Sequence, residues 1–259
     1  MDLTITTKER EQKMLMEQTA EKMQEMRLKK MAEKFLERIQ AKHHEDMEVE
    51  DFIGLLVDDE YQCRLNRRLQ DRLTKAKFKE SQASLERVDY QFKRDLQKKT
   101  VLELAANQWI RRKQNIILTG PSGVGKSFLA QALGHHACRE GYWVRYYRCT
   151  KFYQTLLTSR ADGSYLAFLK TIQKSHVIIL DDFGLAALSD EIKNDLFEII
   201  EDRNGQASTI ITSQLPTEKW HSYLGGGMIG DAFCDRVLHN AHKVGLKGES
   251  YRKETAKLT

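Results

Sequence analysis

The chain has 259 residues, 41% hydrophobic and 31% charged, with a net charge of +5. That is enough apolar material for a core, with a mild lean towards polyanionic partners. Four scattered cysteines without a CxxC pair argue against a zinc ribbon or disulfide framework, and the polar start MDLTITTKEREQK with no long apolar run argues against secretion or membrane insertion, so a cytoplasmic setting with no membrane partner is expected.

Before Gly120 the chain carries one glycine, Gly54, and no proline, so its first part is helix-permissive almost throughout. Leu28, Met31, Ala32, Phe35, Leu36 and Ile39 recur at helical spacing, and residues 8–42 read as one or two amphipathic helices whose apolar stripe packs in a bundle. Residues 52–77 read as further helix. The signal weakens over 78–104, which reads as a linker. The expected organisation is a helical N-terminal domain at 1–77, that linker, and a second domain at 105–259.

The stretch CRLNRRLQDRLTKAKFK, Cys63 to Lys79, holds seven basic residues and one acidic one, whereas residues 1–50 mix ten basic with twelve acidic. At 100° per residue, Arg64, Arg67, Arg68, Arg72, Lys75 and Lys79 fall in one sector, and Leu65, Leu69, Leu73 and Ala76 in the adjoining one. A one-sided row of cations suits non-specific contact with duplex phosphates. An acidic protein partner and a plain solvated face are the competing readings.

Then the pattern changes. NIILT (115–119), YWVRYYR (142–148), HVIIL (176–180), STIITS (208–213) and HKVGL (242–246) read as strands with helices between them, which implies an α/β, doubly wound parallel sheet. In GYWVRYYRCTKFYQ, aromatics and cations interleave, and the stretch reads as buried sheet side chains rather than a base-stacking surface. The histidine pairs 43–44 and 135–136, with His239 and His242, offer no ligand set.

GPSGVGKS, between a strand and a helix, matches a phosphate-binding P-loop. The expected nucleotide contacts are Gly120, Pro121, Ser122, Gly123, Val124, Gly125, Lys126, Ser127 and Phe128. Gly123 and Gly125 let the backbone curl so that its N–H groups face phosphate oxygens, Lys126 neutralises the β- and γ-phosphates of ATP, and Ser127 ligates Mg²⁺. In HVIILDDFG the strand delivers Asp181 and Asp182 to its C-terminal edge, where an open α/β sheet places ligands. Asp181 is the expected Mg²⁺ ligand and Asp182 the expected general base, one methylene shorter than the Glu common in such ATPases, which predicts slow hydrolysis.

STIITSQLP is similar to the sensor-1 stretch of AAA+ ATPases, with Gln214 as the candidate and Thr212 and Ser213 behind it. DAFCDRVLHNAH carries Arg236 on an expected helix, at a place resembling that of the arginine finger AAA+ proteins supply to a neighbouring subunit. GPSGVGKS, ILDDFGL, ITSQLP…W, DRVLHNAH and LKGESYRK together resemble the IstB family of AAA+ ATPases, and RL…KAKF resembles its N-terminal signature. That family is related to the DnaC and DnaI helicase loaders of the initiator clade. Only through that resemblance are Lys151, Arg160, Lys170 and Lys174 further, weak candidates for DNA contact. The resemblance implies a P-loop AAA+ core without a helical lid behind a small all-α domain, in keeping with the 13 residues after the last β run. It also implies ATP-dependent self-assembly on double-stranded DNA in aid of a cognate transposase. The alternative it leaves open is a helicase loader; a nucleotide switch without hydrolysis is the other rival. Arg252, in GESYR, matches a family position to which the residues alone assign no role.

Overall fold

The computed structural model describes residues 7–42, 47–92 and 94–251, together with their side chains except those of residues 7–9 and 12. His43, His44 and Arg252 lie outside the described residues. The chain divides into two compact units, Met1–Gln70 and Asp71–Thr259.

The first unit is helical. It holds α1 (Thr7–Glu25), α2 (Lys29–Gln40) and α3 (Val49–Ala76), the last of which contains the unit boundary. Of the periodic apolar positions, Ala32 is inaccessible and Leu28, Met31, Phe35, Leu36 and Ile39 are partly buried, with Phe35 meeting Phe52 of α3 at a ring-centroid distance of 6.5 Å. Leu28 precedes α2 and has no side chain to cap it. Glu60 of α3 caps it instead, its Oε2 accepting from the amides of Lys30 (2.8 Å) and Met31 (3.0 Å). A carboxylate at a helix N-terminus satisfies orphan donors and opposes the helix dipole.

The second unit is a five-stranded parallel sheet with helices on both faces. In chain order come α4 (Lys98–Ala105), α5 (Gln108–Arg111), β1 (Asn115–Thr119), α6 (Lys126–Arg139), β2 (Val144–Arg148), α7 (Cys149–Ala161), α8 (Tyr165–Gln173), β3 (Val177–Phe183), α9 (Asp190–Arg203), β4 (Ser208–Ser213), α10 (Trp220–Tyr223), α11 (Gly227–Leu238) and β5 (Ala241–Gly245). The strand order is β2-β3-β4-β1-β5. Ile117, Ile178, Leu180 and Ile211 face a core of Phe152, Leu156, Ile172, Leu196, Trp220 and Phe233. On the opposite face α6 comes so close that a Cβ on Gly134 would lie 2.8 Å from Ile179 Cδ1 and 2.7 Å from Phe78 Cε1. The strands all end at one edge, with Thr119 beside Ser213 and Gly245, and Arg148 beside Asp181.

Two expectations need correcting. Residues 78–104 do not hang as a linker: they contain a 3₁₀ turn (Leu85–Arg87) and α4, and bury Ala83, Val88, Leu96, Val101 and Leu104. Side chains rather than a ladder hold this segment. Gln131 Oε1 accepts from the amides of Lys79 and Glu80 (both 2.8 Å), and His135 stacks on Phe78 at 4.1 Å with Nε2 donating to the Glu80 carbonyl (3.0 Å). The row of six cations does not continue to Lys79 either. The helix stops at Ala76, and Lys77 turns left-handed (φ 57°), because Phe78 must leave the helical path to meet Gly134 and His135.

Candidate nucleotide site

Gly125, with φ 94°, ends the curl after β1 and serves as N-cap of α6, so the P-loop amides and the helix N-terminus converge on one cavity of about 550 Å³. Lys126 is only 5% exposed, and its Nζ donates to the carbonyls of Gly120 (2.8 Å) and Pro121 (2.7 Å). Burial lowers its pKa while Asp182 and Asp181 oppose the shift. A desolvated ammonium tethered only by carbonyls is poised to trade them for phosphate oxygens.

β3 carries a bulge at the acid pair. Leu180 pairs with Ile211 and Phe183 with Ser213, so Asp181 and Asp182 together oppose the single residue Thr212. Asp182 adopts φ 62°, and its amide donates to Thr212 Oγ1 (3.0 Å). The same hydroxyl donates to Asp181 Oδ1 (2.5 Å), so one threonine orders both acids. Tyr146 donates to Asp181 Oδ2 (2.8 Å) from β2; burial, then the nearby carboxylate, push its phenol well above the usual value, and it stays a donor. Asp182 Oδ2 accepts from Arg148 Nε at 3.0 Å. Asp181 is 3% exposed, and the oxygen-only set it forms with Ser127 fits a hard divalent cation such as Mg²⁺.

Of the residues expected at the site, Ser122, Gly123, Gly125, Lys126, Ser127, Phe128, Asp181, Asp182 and Gln214 line the cavity. Gly120 and Pro121 serve as acceptors for Lys126, and Val124 is buried behind the loop. Arg236 lies elsewhere. The carbonyls of Arg236 and Val237 accept from Asn115 Nδ2 at the start of β1, the edge remote from the P-loop. The Arg236 guanidinium pairs with Glu201 and lies over the Phe197 ring. The cavity also has walls that the motifs did not announce: Lys79, Glu80, Arg87, Asp89 and Arg94 from the segment before α4, and Tyr251 from the far end of the chain. The family likeness pointed to GESYR, but nothing local in those residues marked a wall.

The basic stretch is heterogeneous. Arg64 is held by Glu60 (2.7 Å) and donates to the Arg27 carbonyl (2.9 Å). Arg72 Nε donates to the Cys138 carbonyl at 2.7 Å, and Lys75 lies 4.8 Å above the Trp143 ring. Arg67 and Arg68 are exposed, with no hydrogen-bond or ion-pair partner among the described residues. Arg160 is committed to buried Asp195 and stacks on Tyr165 at 4.0 Å.

A P-loop between β1 and α6, an acid pair on the next strand but one in sequence, and the order β2-β3-β4-β1-β5 define a P-loop nucleoside-triphosphatase core of the AAA+ class. Residues 21–259 match the model of the IstB-like ATP binding proteins, and the chain belongs to that family. It is 42% identical over 240 residues to the putative insertion sequence ATP-binding protein y4pL of Sinorhizobium fredii, covering 93% of this chain and 98% of that one. It is 30% identical to the putative ATP-binding protein of insertion sequence IS21 from Pseudomonas aeruginosa, covering 80% and 78%. Among solved structures it resembles DnaI (TM-score 0.54, 18% identity, 70% of this chain and 92% of that one). It also resembles the replication initiator DnaA bound to AMPPCP and single-stranded DNA (TM-score 0.52, 20% identity, 68% and 55%). At these identities the likeness concerns the fold. Among the described residues no helix is long and apolar enough to cross a membrane.

Proposed function

We propose that this insertion-sequence ATP-binding protein is a slow, Mg²⁺-dependent ATPase that assembles with ATP on duplex DNA and assists a cognate transposase in choosing and using its target. The observation that carries the reading is the single cavity in which the P-loop, Lys126 and Ser127 face the bulged acids Asp181 and Asp182. Lys126 and the loop amides bind and orient the phosphates. Ser127 and Asp181 would hold Mg²⁺, which would supply charge neutralisation at the phosphates. Asp182 takes the proton of the attacking water, and Gln214 positions that water or the γ-phosphate. Arg236 is outside its own chain's cavity, so it serves hydrolysis only when a second copy supplies it and its pair with Glu201 opens.

The relatives' association with insertion sequences supports the transposition role, and Arg67 and Arg68 support a non-specific phosphate contact. The test is duplex and single-strand binding with ATP, ADP and a non-hydrolysable analogue at two salt concentrations, with turnover measured against protein concentration. ATP-dependent, salt-sensitive duplex binding and a specific activity that rises with concentration are expected. Binding to single strands alone would favour a helicase-loading role. A flat concentration profile would remove Arg236 from catalysis.

A further inference from the structure

The chain's last described residues return to the P-loop. Beyond β5, the Leu246 amide donates to the Thr119 carbonyl (2.8 Å) and the Lys247 amide to the Arg94 carbonyl (3.1 Å). The Tyr251 amide then donates to the Gly123 carbonyl at 3.0 Å. Ser250 fills the space beside Gly123: a Cβ there would lie 2.0 Å from Ser250 Oγ. From the other side comes Arg94, 5% exposed, with Nη1 donating to the Val124 carbonyl (3.2 Å) and Nη2 to the Asp89 carbonyl (2.6 Å). Arg94 Nη1 lies 2.5 Å from where a Gly125 Cβ would stand, and its buried Nε has no hydrogen-bond partner among the described residues. Phe92 joins the two sides, meeting the Tyr251 ring edge-on at 5.1 Å and lying under the Arg94 guanidinium at 5.9 Å.

The two carbonyls engaged belong to the peptide groups whose N–H ends are those of Val124 and Gly125. A donor on a peptide's oxygen fixes the peptide plane and polarises its N–H on the opposite side. Two adjacent P-loop amides are thereby fixed with their N–H ends turned away from the clasped oxygens, and the buried guanidinium beside the loop adds positive potential there. We propose that the strap 246–251 and Arg94 form a clasp on the carbonyl side of the P-loop, at the rim of the cavity, which holds its amides in the phosphate-receiving curl. Tyr251 and Arg94 are thus positioning residues for the nucleotide's phosphates. This rests on the nucleotide-site reading above. It also gives Gly123 and Gly125 a second reason to lack side chains, since a Cβ on either would displace part of the clasp.

The test uses the full-length chain, titrated with fluorescent mant-ADP and then with inorganic pyrophosphate as competitor. Tyr251→Pro deletes the amide donor, Tyr251→Ala keeps it and removes the ring, and Arg94→Met removes the charge and fork at similar length. Losing one hydrogen bond predicts that Tyr251→Pro weakens both ligands about three- to ten-fold, and losing a charged one that Arg94→Met weakens both by about ten-fold or more. Tyr251→Ala, which keeps the amide donor, should lose less pyrophosphate affinity than Tyr251→Pro does, and Arg94→Lys should recover part of the loss. Thermal midpoints without ligand report on folding; if Arg94→Met misfolds, Tyr251→Pro alone decides. Wild-type pyrophosphate affinity in Tyr251→Pro overturns the clasp. A wild-type chain that binds no mant-ADP overturns the nucleotide-site reading itself and the clasp with it.

Discussion

In the proposed reaction Asp182 is the general base, and its surroundings restrain it. Its backbone is left-handed, a conformation that Asp tolerates better than most residues, and its amide is tied to Thr212. Replacing it with Asn keeps those backbone ties and the approximate shape but leaves no base. Asp182→Asn should therefore bind mant-ATP with near-wild-type affinity and release no phosphate above background; wild-type turnover would remove Asp182 from its role. Arg148 occupies one of the two oxygens that a water needs. Arg148 is half exposed, so the pair is worth about 1 kcal/mol at most. Arg148→Met should raise basal turnover, by about five-fold at the upper limit. A ten-fold fall instead would mean that the guanidinium serves the transferring phosphate.

At the scale of elements, the site is a strand edge joined to an irregular segment by one helix face. Gln131, Gly134 and His135 of α6 all point at residues 78–80, and together they fix the wall of the cavity contributed by Lys79 and Glu80. Burial lowers the His135 pKa below the usual 6.5; the Arg139 charge adds to this, and the bond to the Glu80 carbonyl opposes it. The unfolded chain then binds the proton more readily than the folded one. Stability from this contact is fully present above pH 6.5, declines as pH falls towards the folded value, and levels off below it. His135→Gln keeps a donor but cannot titrate, so its thermal midpoint should change less than that of the wild type between about pH 7.5 and about pH 5.5. Equal slopes would show that this latch does not titrate. Such contacts mark what the sequence could and could not disclose. β1, β4 and the P-loop were legible because their signals are contiguous: apolar runs with motif residues at fixed spacing. The bulge was not, because nothing in ILDDFG says that two residues will oppose one. Arg94, Gln131 and Tyr251 were missed as parts of the site because their meaning lies in contacts between segments with no shared period, held by isolated side-chain and backbone bonds rather than by a ladder.

At the scale of the whole molecule, the net charge of +5 is too small to specify a partner, and its distribution decides more than its sum. The cations of residues 64–79 divide by their commitments. Arg64 helps Glu60 to organise the first unit, and Arg72 and Lys75 hold the end of α3 to the Cys138 carbonyl and the Trp143 ring. Removing any of these confounds lost charge with lost structure. Arg67 and Arg68 are one helical residue apart, exposed and uncommitted among the described residues, so they isolate the electrostatic question. Each phosphate neutralised on a duplex contributes about −0.9 to the slope of log K against log salt, and two lost contacts should make that slope shallower by about 1.8 for each bound subunit. The Arg67→Ala/Arg68→Ala protein should therefore bind duplex more weakly at low salt and approach the wild type as salt rises, with unchanged mant-ADP affinity and thermal midpoint. An unchanged slope would move the DNA grip off α3 and onto the nucleotide-binding unit. A changed mant-ADP affinity would mean that these arginines act through the protein rather than on the phosphates.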